Sequence, residues 1–211
     1  MQNGLTIYNG KIPDHLLFED VRKIIEACQS VPSFIKYKTT IRNRLFLETL
    51  WQTGCRLGEA LGGIRTSKGI EVGRYPGVRG SDLDIPRGTI TVQVEKQKKV
   101  TSHIISVETS LVAELVDFYT SQGIKREDRI FQLNKRQAEY VIKTAAAYAG
   151  ITRRVNPHIL RHSNAVYMRS QGVHPFVMQK ALGHTNMGST LVYSRASDED
   201  VAQAKAQIKW R

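Results

Sequence analysis

A chain of 211 residues is long enough to bury a core, and its 41 % apolar content excludes a disordered tail. Its 31 Lys and Arg against 19 Asp and Glu give a formal net charge of +12, which points to a polyanionic partner ahead of a membrane surface. Two cysteines, Cys28 and Cys55, are too few for a disulfide framework and lack zinc-type spacing, and no signal peptide or spanning segment is visible, so a soluble cytoplasmic protein is expected.

Leu17, Val21, Ile24, Ile25 and Cys28 recur at helical spacing, which predicts a first amphipathic helix after Pro13. A second runs from about Tyr37 with Ile41, Leu45 and Leu50 turned inward and stops at Gly54. A short helix through Glu59 and Leu61 ends at Gly62-Gly63. From Ile64 to Ser81 Gly, Arg and Lys break any period, and an irregular insertion loop is expected. Ile90, Val92 and Val94 then alternate with polar residues, and after Lys96-Gln97-Lys98-Lys99 a second strand covers about His103 to Val107, giving a hairpin with a basic tip.

The rest reads as helix. Leu111, Leu115 and Tyr119 mark one that ends before Gly123, and a second starts at Asn134 and stops at Gly150. A third has Asn156 as its N-cap and Pro157 in its first turn. A short one covers Pro175 to Leu182, and a final one, 197–209, opens on Ser197 with Asp200 in capping-box position. The predicted fold is mainly α with a small antiparallel β-sheet, an α+β single domain.

Three clusters could carry chemistry. His158, Arg161 and His162 fall near one helix face; the two histidines have metal-ligand spacing, but Arg161 would repel a cation and no glutamate follows the first. They could also brace a polar face or present positive charge to a phosphate. In Gly54-Cys55-Arg56-Leu57-Gly58-Glu59, Arg56 sits in a turn with Glu59 close enough to orient it, or the two form an ordinary surface pair. Cys55 beside Arg56 reads better as a small core residue than as a nucleophile. Last, Leu182-Gly183-His184 places a histidine in a turn shortly before Tyr193.

Gly-x-Arg-x-x-Glu, a basic hairpin tip, His-x-x-Arg, Leu-Gly-His and a trailing Tyr stand in the order used by the tyrosine recombinase and integrase family, which the chain resembles from about Phe18 to Tyr193. The resemblance implies a tyrosine recombinase catalytic domain. It makes Arg56 and Arg161 the pair that neutralises non-bridging phosphate oxygens, and His158 the group that accepts or shares the tyrosine proton. Lys96 becomes the proton donor to the leaving 5′-oxygen, with Lys98 and Lys99 as close alternatives; His184 becomes a phosphate-side donor and Glu59 an orienting residue. Tyr193 becomes the nucleophile of a 3′-phosphotyrosyl intermediate, and neither ATP nor a metal ion is required.

Members of the family usually carry a separate helical DNA clamp before the catalytic domain, for which this chain leaves no room. A minimal enzyme, a fragment, or a clamp supplied by an accessory DNA-binding protein are the options. Arg65, Lys68, Arg74 and Arg79 in the 64–81 insertion are expected to contact the phosphate backbone in part replacement of it, against the alternative of a solvated loop. The partners implied are duplex DNA at a specific site and further copies of the chain, a tetramer when synapsed, on nucleoid DNA. The tail beyond Tyr193 is expected to dock on a neighbouring subunit. Two rivals remain: a type IB topoisomerase-like enzyme, and a DNA-binding module that has lost catalysis.

Overall fold

Helices dominate the computed structural model, which describes residues 13–67, 70–96, 99–183, 190 and 193. Helix α1 (Phe18–Ala27) turns Val21, Ile24 and Ile25 into the core, as their spacing requires. A short α2 (Pro32–Lys36), not expected from the sequence, starts on Pro32 and buries Phe34. Helix α3 (Thr40–Thr53) buries Leu45, Phe46, Leu47, Leu50 and Trp51 and ends at Gly54, whose φ of 58° is left-handed.

Ile41 does not point inward as expected: it is 59 % exposed, because the first turn of α3 is only partly covered. Asn43 is buried there instead, its Nδ2 donating to Thr39 Oγ1 at 3.2 Å and its Oδ1 accepting from Arg42. Helix α4 (Leu57–Leu61) follows directly.

The segment between Ile64 and Ser81 is not an irregular loop. It forms β1 (Gly63–Ser67) and β2 (Ile70–Tyr75), an antiparallel hairpin, followed by a single 3-10 turn over Gly80–Asp82. The pairing register shifts between Arg65 and Thr66, and such a bulge breaks the two-residue alternation by which a strand is read from sequence. Interspersed Gly69 and Gly73 blur it further.

A two-residue β3 (Leu83–Asp84) leads to the central β4 (Thr89–Lys96), which pairs with β5 (Lys99–Ser106) along its whole length. β4 also meets β2 at its C-terminal end and β3 at its start, all antiparallel. Ile90, Val92 and Ile105 enter the core while Ile104 is exposed, the alternation of a sheet covered on one face.

Helix α5 (Thr109–Ser121) buries Leu111, Val112 and Leu115. Helix α6 (Lys135–Tyr148) begins on a reciprocal cap: Asn134 Oδ1 accepts from the Gln137 N–H, and Gln137 Oε1 from the Asn134 N–H, each at 2.9 Å. Helix α7 (Pro157–Ser170) is capped by Asn156, whose Oδ1 accepts from the Ile159 N–H at 3.0 Å, and α8 (Pro175–Ala181) follows after a short turn. The main core joins α1 and α3 to α7 and the inner face of the sheet. A smaller satellite of Ala165, Met178, Leu182 and Tyr193 lies between α7 and α8. Among the described residues no helix is long and apolar enough to cross a membrane. The helix expected over 197–209 lies outside them.

Candidate active site

The site is assembled where three helix ends meet. Gly54 closes α3, and Arg56 follows it as the residue that opens α4. The Glu59 carboxylate, 4 % exposed, accepts from the Arg56 N–H at 2.7 Å and from its Nη1 at 2.8 Å. One buried acid therefore caps the helix and fixes the guanidinium of a side chain that stays 42 % exposed.

Arg161 of α7 is 7 % exposed. Its Nη1 donates to the Gly54 carbonyl at 2.7 Å and its Nη2 to the Leu182 carbonyl at 2.6 Å. Those oxygens close α3 and α8, where the helix macrodipole is negative, so the buried cation is held by carbonyls, with no carboxylate of the described residues in direct contact. Burial first and neighbouring Arg56 second make Arg161 less willing to hold its charge. A guanidinium stays ionised regardless, and two cations kept this near each other favour an anion between them.

Close approach at Gly54 locks the arrangement. A Cβ there would lie 2.5 Å from Asn164 Oδ1, and the Asn164 amide is tied by its Nδ2 to the Trp51 carbonyl at 2.8 Å. At the end of α8, β5 meets the turn with the His103 ring against Gly183.

Arg56, Arg161 and the exposed His158 line one cleft of about 1050 Å³. Its walls add Arg129, Lys135 and Arg154, with Asp128 and Glu139 as the acids. These three cations escaped the sequence reading; the Arg153-Arg154 pair just ahead of the Asn156-Pro157 cap was the available signal. Cys55 is buried and its thiol is pushed up to about 12 by desolvation, which makes it core and leaves no thiolate for chemistry.

Tyr193 is 4 % exposed and sits in the satellite cluster. Its hydroxyl is hydrogen-bonded to Nδ1 of His162, the second histidine of α7, not to His158. Burial first, then neighbouring His158 and Arg161, lower the His162 pKa and favour its neutral ring, and which partner donates in the bond between Nδ1 and the hydroxyl follows the tautomer.

Lys96 and Lys99 are register partners at the last rung of the β4–β5 ladder. Arg65 lies on β1 and Arg74 on β2. Arg79 is held by Asp82, Nε to Oδ2 at 3.3 Å, and is away from the cleft lining. Lys68, Lys98 and His184 lie outside the described residues.

This architecture is that of a tyrosine recombinase catalytic domain. The catalytic domain of bacteriophage HP1 integrase matches with a TM-score of 0.61, covering 92 % of this chain and 94 % of that one at 17 % identity. The chain belongs to the phage integrase family, whose model matches residues 14–200.

Among curated relatives, tyrosine recombinase XerA of Thermococcus onnurineus is 28 % identical over 207 residues, 93 % of this chain and 64 % of that protein. Tyrosine recombinase XerD of Mycobacterium leprae is 27 % identical over 188 residues, covering 87 % and 57 %. XerH site-specific recombinase, in a pre-cleavage complex with its difH substrate, matches with a TM-score of 0.68 at 21 % identity, over 95 % of this chain and 54 % of that one. The chain thus spans about six-tenths of the length of the curated relatives it matches.

Proposed function

We propose that this chain is a site-specific DNA recombinase that cuts and rejoins duplex DNA through a 3′-phosphotyrosyl bond to Tyr193. The observation that carries the reading is the pair of guanidinia, Arg56 and Arg161, brought from distant parts of the sequence to one cleft beside His158. Two rigidly held forks are suited to a phosphoryl group whose non-bridging oxygens gain charge in the transition state.

In this reading Tyr193 Oη attacks the phosphorus, an Oη–P bond forms, and the P–O5′ bond breaks. His158 takes the phenol proton and Lys96 supplies one to the departing 5′-oxygen. His184 donates to a phosphate oxygen, and Glu59 keeps Arg56 in place. Attack by a 5′-hydroxyl of a partner strand reverses the step and frees Tyr193, so phosphoester bonds are conserved and no ATP is consumed. Pairing of strands from two sites calls for several copies of the chain, a tetramer at synapsis, with an accessory DNA-binding protein as part of the same proposal. The working location is nucleoid DNA.

The test is trapping on nicked duplexes followed by sequencing of the attached DNA. Tyr193→Phe should fold, bind DNA and form no adduct that survives denaturant. An adduct formed by the Phe variant would refute the assignment of the nucleophile. Relaxation of supercoiled DNA with no site preference would favour a type IB topoisomerase-like activity instead.

A further inference from the structure

The β1–β2 hairpin leaves the end of α4 at Gly63 and returns to it at Tyr75, so it stands on a narrow base beside the cleft. Three contacts tie that base to α4. The Tyr75 ring packs on Gly58, where an added Cβ would lie 3.2 Å from Tyr75 Cδ2. The Val78 N–H donates to the Ala60 carbonyl at 3.0 Å. Arg129, 68 residues beyond Leu61 in the chain, donates from Nη1 to the Leu61 carbonyl at 3.0 Å.

The Arg129 stem is gripped from two sides. A Cβ at Gly62 or at Gly77 would lie 2.9 Å from Arg129 Cδ, so the segments entering and leaving the hairpin close around one aliphatic stem. Its backbone is fixed as well: Arg129 forms a β-bridge with Arg79, and the Ile130 N–H donates to the Val78 carbonyl at 2.9 Å. Among the described residues no carboxylate forms an ion pair with its guanidinium, and the residue lines the cleft with Arg56 and Arg161.

Helix α4 has only five residues, and its last carbonyls find no partner inside it. So short a helix depends on what grips its two ends. At the first, Glu59 caps it and binds Arg56. At the other, Arg129 supplies a cation, the charge that a helix C-terminus favours.

We infer that Arg129 is a positioning residue that locks the base of the β1–β2 hairpin to the end of α4 and thereby holds Arg56 where the phosphate binds. Its effect on cleavage rests on the recombinase reading; the lock itself does not.

Amide hydrogen exchange of the full chain without DNA, followed by NMR, tests the lock. The Gly62 and Val78 N–H groups, bonded to the Gly58 and Ala60 carbonyls, report on α4 and the hairpin base, and the Gly172 N–H at the end of α7 is the control. Arg129→Met keeps an unbranched stem between the glycines but removes the donor. It should speed exchange at Gly62 and Val78 roughly tenfold, the effect of losing one hydrogen bond from a charged donor, and leave Gly172 unchanged. Arg129→Lys, whose ammonium can reach the Leu61 carbonyl, should stay near wild type, and Arg129→Gln, neutral and one atom shorter than lysine, should not. That pair decides the matter if the Met variant fails to fold. Equal exchange in wild type and Arg129→Met, or in the Lys and Gln variants, would overturn the inference.

At saturating DNA, single-turnover adduct formation on a nicked site should be roughly tenfold slower in Arg129→Met, while the salt slope of binding stays that of the wild type. An unchanged rate would overturn the positioning of Arg56, and a slope lowered by about one would make Arg129 a phosphate ligand in its place. Absence of any adduct from the wild type would count against the recombinase reading, while the DNA-free exchange rates still decide the lock.

Discussion

Replacing Gly54 by alanine tests how tightly the site is built, because two separable costs meet there. The first is backbone: at φ 58° a Cβ crowds its own carbonyl, at about 1–2 kcal/mol. The second is space. The new Cβ would lie 2.5 Å from Asn164 Oδ1 and 2.8 Å from Leu182 Cδ2, and Asn164 cannot retreat without straining its 2.8 Å bond to the Trp51 carbonyl. Overpacking of this kind costs about 1–3 kcal/mol, so the total should be about 2–5 kcal/mol. Gly150→Ala is the control: its φ is also positive, 76°, but no atom lies within 4 Å of the added Cβ, so only the backbone cost of about 1–2 kcal/mol applies. Urea unfolding of both variants, with m-values compared to confirm similar unfolded states, measures the difference. The Gly54 carbonyl also anchors Arg161, so Gly54→Ala should slow adduct formation where Gly150→Ala does not. Equal destabilisation by the two substitutions would refute the close-packing argument.

Other outcomes follow from single features. Burial pushes the thiols of Cys28 and Cys55 up to about 12 from 9.0, so a thiol reagent at pH 8 should modify neither in the native protein and both after denaturation. In the unfolded chain they ionise near 9.0; their contribution to stability is complete below that pH and is lost as pH rises toward 12. If the 64–81 segment tracks the DNA backbone, changing Arg65, Lys68 and Arg74 to Ala should lower the salt slope of binding by about one each, and an unaltered slope would leave them solvated. Arg79→Ala should act on stability and not on that slope, by about 1–2 kcal/mol, since it removes the ion-pair partner of a buried Asp82 and leaves it the bonds from the residue-79 backbone N–H and from Gln93. Truncation after Ala196 should spare single-site binding and weaken assembly, as the family resemblance implies for the tail; undiminished assembly in an analytical ultracentrifuge would make the tail a local cap.

Much of this was legible locally. Apolar spacing located α1, α3, α5 and α6, the Asn134 and Asn156 caps stand where their side chains announced them, the second of them locating α7, and the β4 alternation fixed the inward face of Ile90 and Val92. The order of short motifs gave the family, because each depends on residues only a few positions apart. Where the local signal was interrupted the reading failed: a register shift beside Arg65 hid the β1–β2 hairpin, and partial cover of one helical turn left Ile41 exposed.

The sequence by itself therefore determined most of the described helices, the central hairpin and which residues were candidates for the chemistry. It could name Arg161 but not its anchors, since the Gly54 and Leu182 carbonyls are brought to it only when α3 and α8 end against α7. Nor could it choose between His158 and His162 as the partner of Tyr193. One turn apart on a helix, the two share a face by periodicity, and only the packing of Met178, Leu182 and Tyr193 against α7 puts the tyrosine hydroxyl on the second. Local periodicity sets which way a side chain leaves its own helix; what it meets there depends on contacts between segments far apart in the chain, and those exist only in the folded molecule.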